Sequence, residues 1–328
     1  MCNIRDLRSN EQLRRHCRYS TFLGAAIWLA ILALLPRDQN WAISGLLLFV
    51  PQVLIRLGFA FLIPHGLTVR YYTWYTASYF QLPAAVSLSI AFLAPAGATA
   101  AWLAVPWLTF TLLLAALAVD RIMRERPGIT EWGQIAAMLF LPIGAGWALL
   151  SRAGIQPLGF SPVIVLLTAI HFHYAGLVMP LLAGTLVRQH RDAVSTATLL
   201  GVLIGVPLVA VGIATTQLGG PKVVEFLAAA TLALTGIILG VQTIRIAGEF
   251  TGLIRGLLWI AGCSLIVALS WSGIYAAGQY GAIERWNIPF MVHTHGVINA
   301  VGVALCGLFG WHLVLTARKN VPALGEVR

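Results

Sequence analysis

From residue 20 to residue 316 the chain repeats one pattern: an apolar stretch of bilayer length, then a short joint rich in Arg, Pro or Gly. A helix needs roughly 20 apolar residues to cross the hydrocarbon core. In lipid the backbone must satisfy its own hydrogen bonds, which leaves helices and closed barrels as the spanning structures. Ten windows carry the pattern, at 20–36, 41–63, 71–94, 99–120, 132–151, 162–187, 195–217, 224–244, 253–280 and 288–316. The expected fold is therefore all-α, a polytopic transmembrane helical bundle of about ten spans.

Charge tests that count without using hydropathy. Placing the N-terminus in the cytoplasm puts 16 of the 21 Lys and Arg residues on the inner side, 4 outside, and Arg56 within a span. A miscounted span would scramble this alternation, so both termini are expected to be cytoplasmic. The +10 formal charge is thus read as membrane topology and not as a nucleic-acid surface. The expected division is a basic cytoplasmic segment at 1–19, a membrane domain at 20–316 and a cytoplasmic tail at 317–328, in the cell (inner) membrane. "MCNIRDLRSNEQLRRHCRYS" is too long and polar for a signal n-region, so the first helix is expected to stay as an anchor. Cys2, Cys17, Cys263 and Cys306 have no paired spacing, which implies neither a disulfide framework nor a zinc motif.

Ionisable groups at bilayer depth are costly, so each is a site candidate. Two histidine pairs lead. His171 and His173, in "HFHYAG", lie about ten residues into the sixth window, roughly 15 Å below its outer end at 1.5 Å per residue. His293 and His295, in "HTHG", begin the tenth. Two residues along an α-helix is about 200° of rotation, so the members of one pair point to opposite sides and cannot chelate one ion together. One histidine from each helix could share a site. Asn299, Gly302 and Cys306 lie on the stripe of His295, whereas Val297, Ala300 and Ala304 make an apolar stripe through His293. Thr168 and Tyr174 flank His171. His295 with Asn299 and His171 with Tyr174 are accordingly the favoured faces. The plainer alternative for each histidine is a hydrogen bond between helices.

A second polar tier comprises Arg56, Gln52, Gln81, Tyr75, Tyr79, Ser270, Trp271, Ser272 and Tyr275, of which Arg56, Gln81 and Trp271 are the substrate-binding candidates. Arg56 either holds an anionic group or snorkels to the inner face. His65 and Arg70 read as interfacial, and His16, His190 and His312 as solvated. Asp120, Glu131, Glu225 and Glu249 all fall at helix ends, so no carboxylate pair exists inside a span for magnesium-diphosphate chemistry. P-loop and GxSxG motifs are missing.

"HFHYAG" followed far downstream by "HTHGVINAVG" resembles the paired signature of the YndJ-like family of bacterial multi-pass membrane proteins. The resemblance covers most of the chain. It implies a bacterial host and His171, His173, Tyr174, His293, His295 and Asn299 as site residues, and it brings no mechanism. Separately, "AIHFHYAGLVMPLLAG" is similar to the haem-bearing helix of haem-copper oxidases, where the two histidines serve haems on opposite sides. The adjacent histidine pair and the His-Pro-Glu copper motif of those oxidases are missing here.

Three functions are compatible with this reading. The first is a buried site in which His171 or His173 together with His293 or His295 binds haem or a transition metal for electron transfer or sensing. The second is a cofactor-free membrane enzyme, with His171 and His295 as acid and base and Tyr174 and Asn299 orienting a lipophilic small molecule. The third is a transporter with a histidine proton relay. The bilayer is the expected partner in all three.

Overall fold

The computed structural model describes residues 20–62, 71–281 and 287–320, which are helical with no strand among them. The expectations for His16, His65, Arg70, Arg285 and the segments at 1–19 and 321–328 lie outside the described residues. Among the described residues nine helices are long and apolar enough to cross a membrane, and a shorter apolar helix precedes them. In chain order these are α1 (Ser20–Leu34), α2 (Trp41–Leu62), α3 (Tyr71–Leu93), α4 (Ala98–Glu125) and α5 (Ile129–Ala153). The second half holds α6 (Pro162–Gln189), α7 (Ala193–Gln217), α8 (Lys222–Ala247), α9 (Gly252–Tyr280) and α10 (Ile288–Ala317).

The joints explain the boundaries. Arg126 ends α4 with φ 47° just before Pro127, and Gly154 ends α5 with φ 72°, left-handed conformations that stop a helix. Asp192 caps α7 by accepting the Ser195 backbone N–H at 2.7 Å, and Asn287 caps α10 through the Phe290 N–H at 3.0 Å. Joints this short make α3 and α4, α4 and α5, α7 and α8, and α8 and α9 packed antiparallel neighbours. At the α5–α6 seam, Gly133 and Gly184 sit backbone to backbone. A Cβ on Gly184 would stand 3.0 Å from the Gly133 Cα, so only a small residue permits this approach.

At one end of the bundle Arg121 is buried and ties two helices. Its guanidinium meets Glu131 at 2.6 Å, Glu125 at 3.3 Å and Gln134 at 3.4 Å, while the Gln134 amide donates to the Phe61 carbonyl of α2. Glu131 also accepts the Gly128 N–H at 3.0 Å, so one carboxylate caps α5 and neutralises Arg121.

Three helices depart from regular α-geometry. In α2 the segment Val50–Leu54 is π-helical, with the Ile55 N–H bonded to the Val50 carbonyl. Pro51 supplies no N–H there, which makes a wider turn inexpensive. In α6 the helix breaks between Tyr174 and Val178, and the Gly176 N–H reaches back to the His171 carbonyl at 3.2 Å. In α10 the segments Val292–Gly296 and Ile298–Leu305 are π-helical. These three helices touch one another, and they carry the two histidine motifs.

Candidate functional site

His171 and His173 leave α6 on opposite sides, as their spacing requires. His173 is fully buried and turns toward α4 and α5. Its Nε2 accepts the indole N–H of Trp107 at 2.9 Å, and its Nδ1 lies 2.8 Å from the Ala169 carbonyl. A carbonyl only accepts, so the ring proton is on Nδ1 and the Nε2 lone pair is taken by Trp107. Gly144 makes room for this ring, because a Cβ there would come within 2.6 Å of Nδ1. His173 therefore has no free lone pair for haem or metal in this arrangement, and its role as a ligand is set aside for that reason.

His171 turns toward α7. Its Nε2 lies 2.9 Å from the Val206 carbonyl, so Nε2 carries the proton and Nδ1 is the ring's acceptor. On α10, His295 uses the other nitrogen. Its Nδ1 donates to the Ala268 carbonyl of α9 at 2.8 Å, and its Nε2 faces the Asn299 amide nitrogen at 3.2 Å. The same amide donates to the His295 carbonyl at 2.8 Å, which fixes the side chain of Asn299 one turn below the ring. His171 and His295 lie within electrostatic reach of each other. The sixth and tenth helices do meet, the helix of His171 touching the Ile298–Leu305 segment of α10.

Leu46 of α2 completes the junction. Its carbonyl accepts the Tyr174 hydroxyl at 2.8 Å, and its side chain packs against Gly296, where an added Cβ would lie 3.1 Å away. Tyr174 thus joins the last residue before the break in α6 to α2, beside the histidine motif of α10.

His293 stands apart. It is exposed on the outer side of α10 and donates Nδ1–H to the Pro289 carbonyl at 2.8 Å. The stripe expected through His293, Val297, Ala300 and Ala304 divides: Val297 is 42% exposed, whereas Ala300 and Ala304 are buried at 1% and 0%. The π-helical register of α10 alters the rotation per residue on which that stripe was drawn. The four histidines therefore do not assemble into one centre. Among the described residues no group of three or more His, Cys, Asp or Glu could hold a metal ion.

The expected substrate-binding residues fall in two other places. Trp271 of α9 packs edge-on against Phe290 of α10 at 6.0 Å between ring centroids. Arg56 and Gln81 lie between α2 and α3. Arg56 is only 2% exposed and donates to the Ser78 carbonyl at 3.1 Å, so it does not snorkel to the surface. Gln81 donates to the Pro51 carbonyl at 2.6 Å, the group beside the π-turn. Sequence reasoning missed Trp107, whose position beside Pro106 in α4 carries no mark of its partner, and it missed the backbone acceptors at Leu46, Val206 and Ala268.

The profile of a family described as "YndJ-like protein" matches residues 43–303. Among curated proteins, an uncharacterized membrane protein YndJ of Bacillus subtilis (strain 168) is 28% identical over 211 residues, covering 63% of this chain and 37% of that protein. The chain thus spans little more than a third of that relative's length. No solved structure matches.

Proposed function

The chain belongs to the YndJ-like family of membrane proteins, and from that premise we propose that the His171–His295 pair is an acid–base site that exchanges a proton with a polar group inside the bilayer. One observation carries this reading: each imidazole is pinned by its N–H to a backbone carbonyl of a different helix, His171 through Nε2 and His295 through Nδ1. Each ring then keeps one nitrogen that can accept a proton, Nδ1 of His171 and Nε2 of His295, the second through exchange with the longer 3.2 Å contact from the Asn299 amide. Asn299 orients His295, as the third group of a catalytic set orients a base. The supply side is the lipid, so the partner we favour is a lipophilic small molecule with one polar end. The assignment to the cell (inner) membrane, with cytoplasmic termini and a single membrane domain over 20–316, belongs to the same proposal.

A proton relay in a transporter is the second reading, and the break in α6 favours it. Discontinuous helices at mid-membrane commonly flank the binding sites of secondary transporters. Transition-metal binding draws less support. With His173 bonded to Trp107 and His293 turned outward, two imidazoles remain where a zinc site uses three or four protein ligands.

Proteoliposomes made from a bacterial total lipid extract test the proposal. Untargeted mass spectrometry of the lipids and an enclosed pH dye are read in parallel for the natural protein, His171→Ala and His295→Ala. Conversion of a lipid that both variants lose supports the enzyme, and proton flux that both lose supports the relay. Neither signal in the natural protein overturns the site.

A further inference from the structure

Two fully buried amides lie at the π-turn of α2, Gln52 within it and Gln81 bonded to it from α3, and the hydrogen-bond pattern fixes how each is oriented. The Ser89 hydroxyl spends its proton on the Ala85 carbonyl at 3.1 Å, so it can only accept from Gln52, whose Nε2 lies 2.9 Å away. Gln81 faces the Pro51 carbonyl, which also only accepts, so its nitrogen must point there. Neither amide can flip without setting oxygen against oxygen or leaving Ser89 without its donor. Both Oε1 atoms are therefore left in the interior with no donor, on residues 0% exposed.

An acceptor stranded this way in hydrocarbon surroundings is expensive, and two beside one turn call for a guest that donates. The guest must be small, since Leu47, Leu48 and Leu54 of α2 and Ala84, Ala85 and Leu88 of α3 are all buried in the core. It must also be neutral, because the Arg56 guanidinium one turn below Gln52 repels a cation. Water meets both conditions.

We propose that water occupies the α2–α3 seam beside Pro51, donating to Gln52 Oε1 and Gln81 Oε1.

The test uses the whole chain in lipid nanodiscs with 15N-labelled glutamine side chains. Water-selective NMR transfer should give cross-peaks to the Gln52 and Gln81 amides, assigned by their loss in Gln52→Met and Gln81→Met. Dry amides in the natural protein overturn the proposal.

Discussion

The indole N–H of Trp107 donates to Nε2 of His173 at 2.9 Å, across the interface between α4 and α6, with both side chains buried. One of the two histidines in "HFHY" is thereby a clamp between helices. Trp107→Phe keeps most of the packing and leaves Nε2 without a donor, which should cost about 1–3 kcal/mol. Thermal unfolding in detergent measures the loss. The imidazole nitrogen signals of His171 and His295 should not move, and a shift in them would tie His173 to the site.

Gly144 is the space in which that clamp stands. A methyl group there would press on Nδ1 of His173 at 2.6 Å, and the ring is held from the far side by Trp107. Gly144→Ala should therefore destabilise by about 1–3 kcal/mol, as overpacking does. Gly146 has no atom within 4 Å of the same added group, so Gly146→Ala should cost nothing comparable. Parallel melting curves of the two variants provide the comparison.

How much of this was legible beforehand follows from what hydropathy records. Apolar length and the alternation of basic joints predict helix positions, and the windows at 41–63, 162–187 and 253–280 agree with α2, α6 and α9 to within a few residues. The 200° separation of His171 and His173 was likewise a matter of helical geometry alone. The π-turns of α2 and α10 and the break in α6 were not legible, because they change hydrogen-bond register without changing the apolar length of the span. The partners at Leu46, Val206 and Ala268 were hidden for a related reason: any residue presents a backbone carbonyl, so side-chain identity does not mark one.

The pinned imidazoles predict opposite tautomers in one site. His171 should show a protonated Nε2 and a bare Nδ1, and His295 the reverse, because the Val206 and Ala268 carbonyls accept from different nitrogens. Side-chain 15N spectra of histidine-labelled protein in nanodiscs distinguish these forms. Two rings of the same tautomer would contradict the arrangement.

Coupling between those rings is a separate expectation. The proposed function puts His171 and His295 in one site where α6 and α10 touch, so removing one should alter what the other experiences. In a double-mutant cycle of His171→Ala and His295→Ala, the stability or flux losses should depart from additivity by about 0.5 kcal/mol or more. Additive losses would place the two histidines in independent settings.

Outside the membrane, Asp192 gives the clearest pH dependence. Its carboxylate accepts the Ser195 backbone N–H at 2.7 Å, and this bond, followed by one with the Ser195 side chain, holds its pKa below the ordinary carboxylate value. A carboxyl whose folded pKa is depressed binds fewer protons folded than unfolded. Its stabilising contribution is therefore complete above the unfolded value of about 3.9 and is lost as pH falls through the lower folded one. Hydrogen exchange at the first turn of α7 should accordingly quicken, relative to the intrinsic rate, as pH drops below about 4. Asp192→Asn keeps a capping oxygen without a titrating proton, so that acid-side loss should vanish in the variant. Equal acid sensitivity in both proteins would mean that the cap does not govern this end of α7.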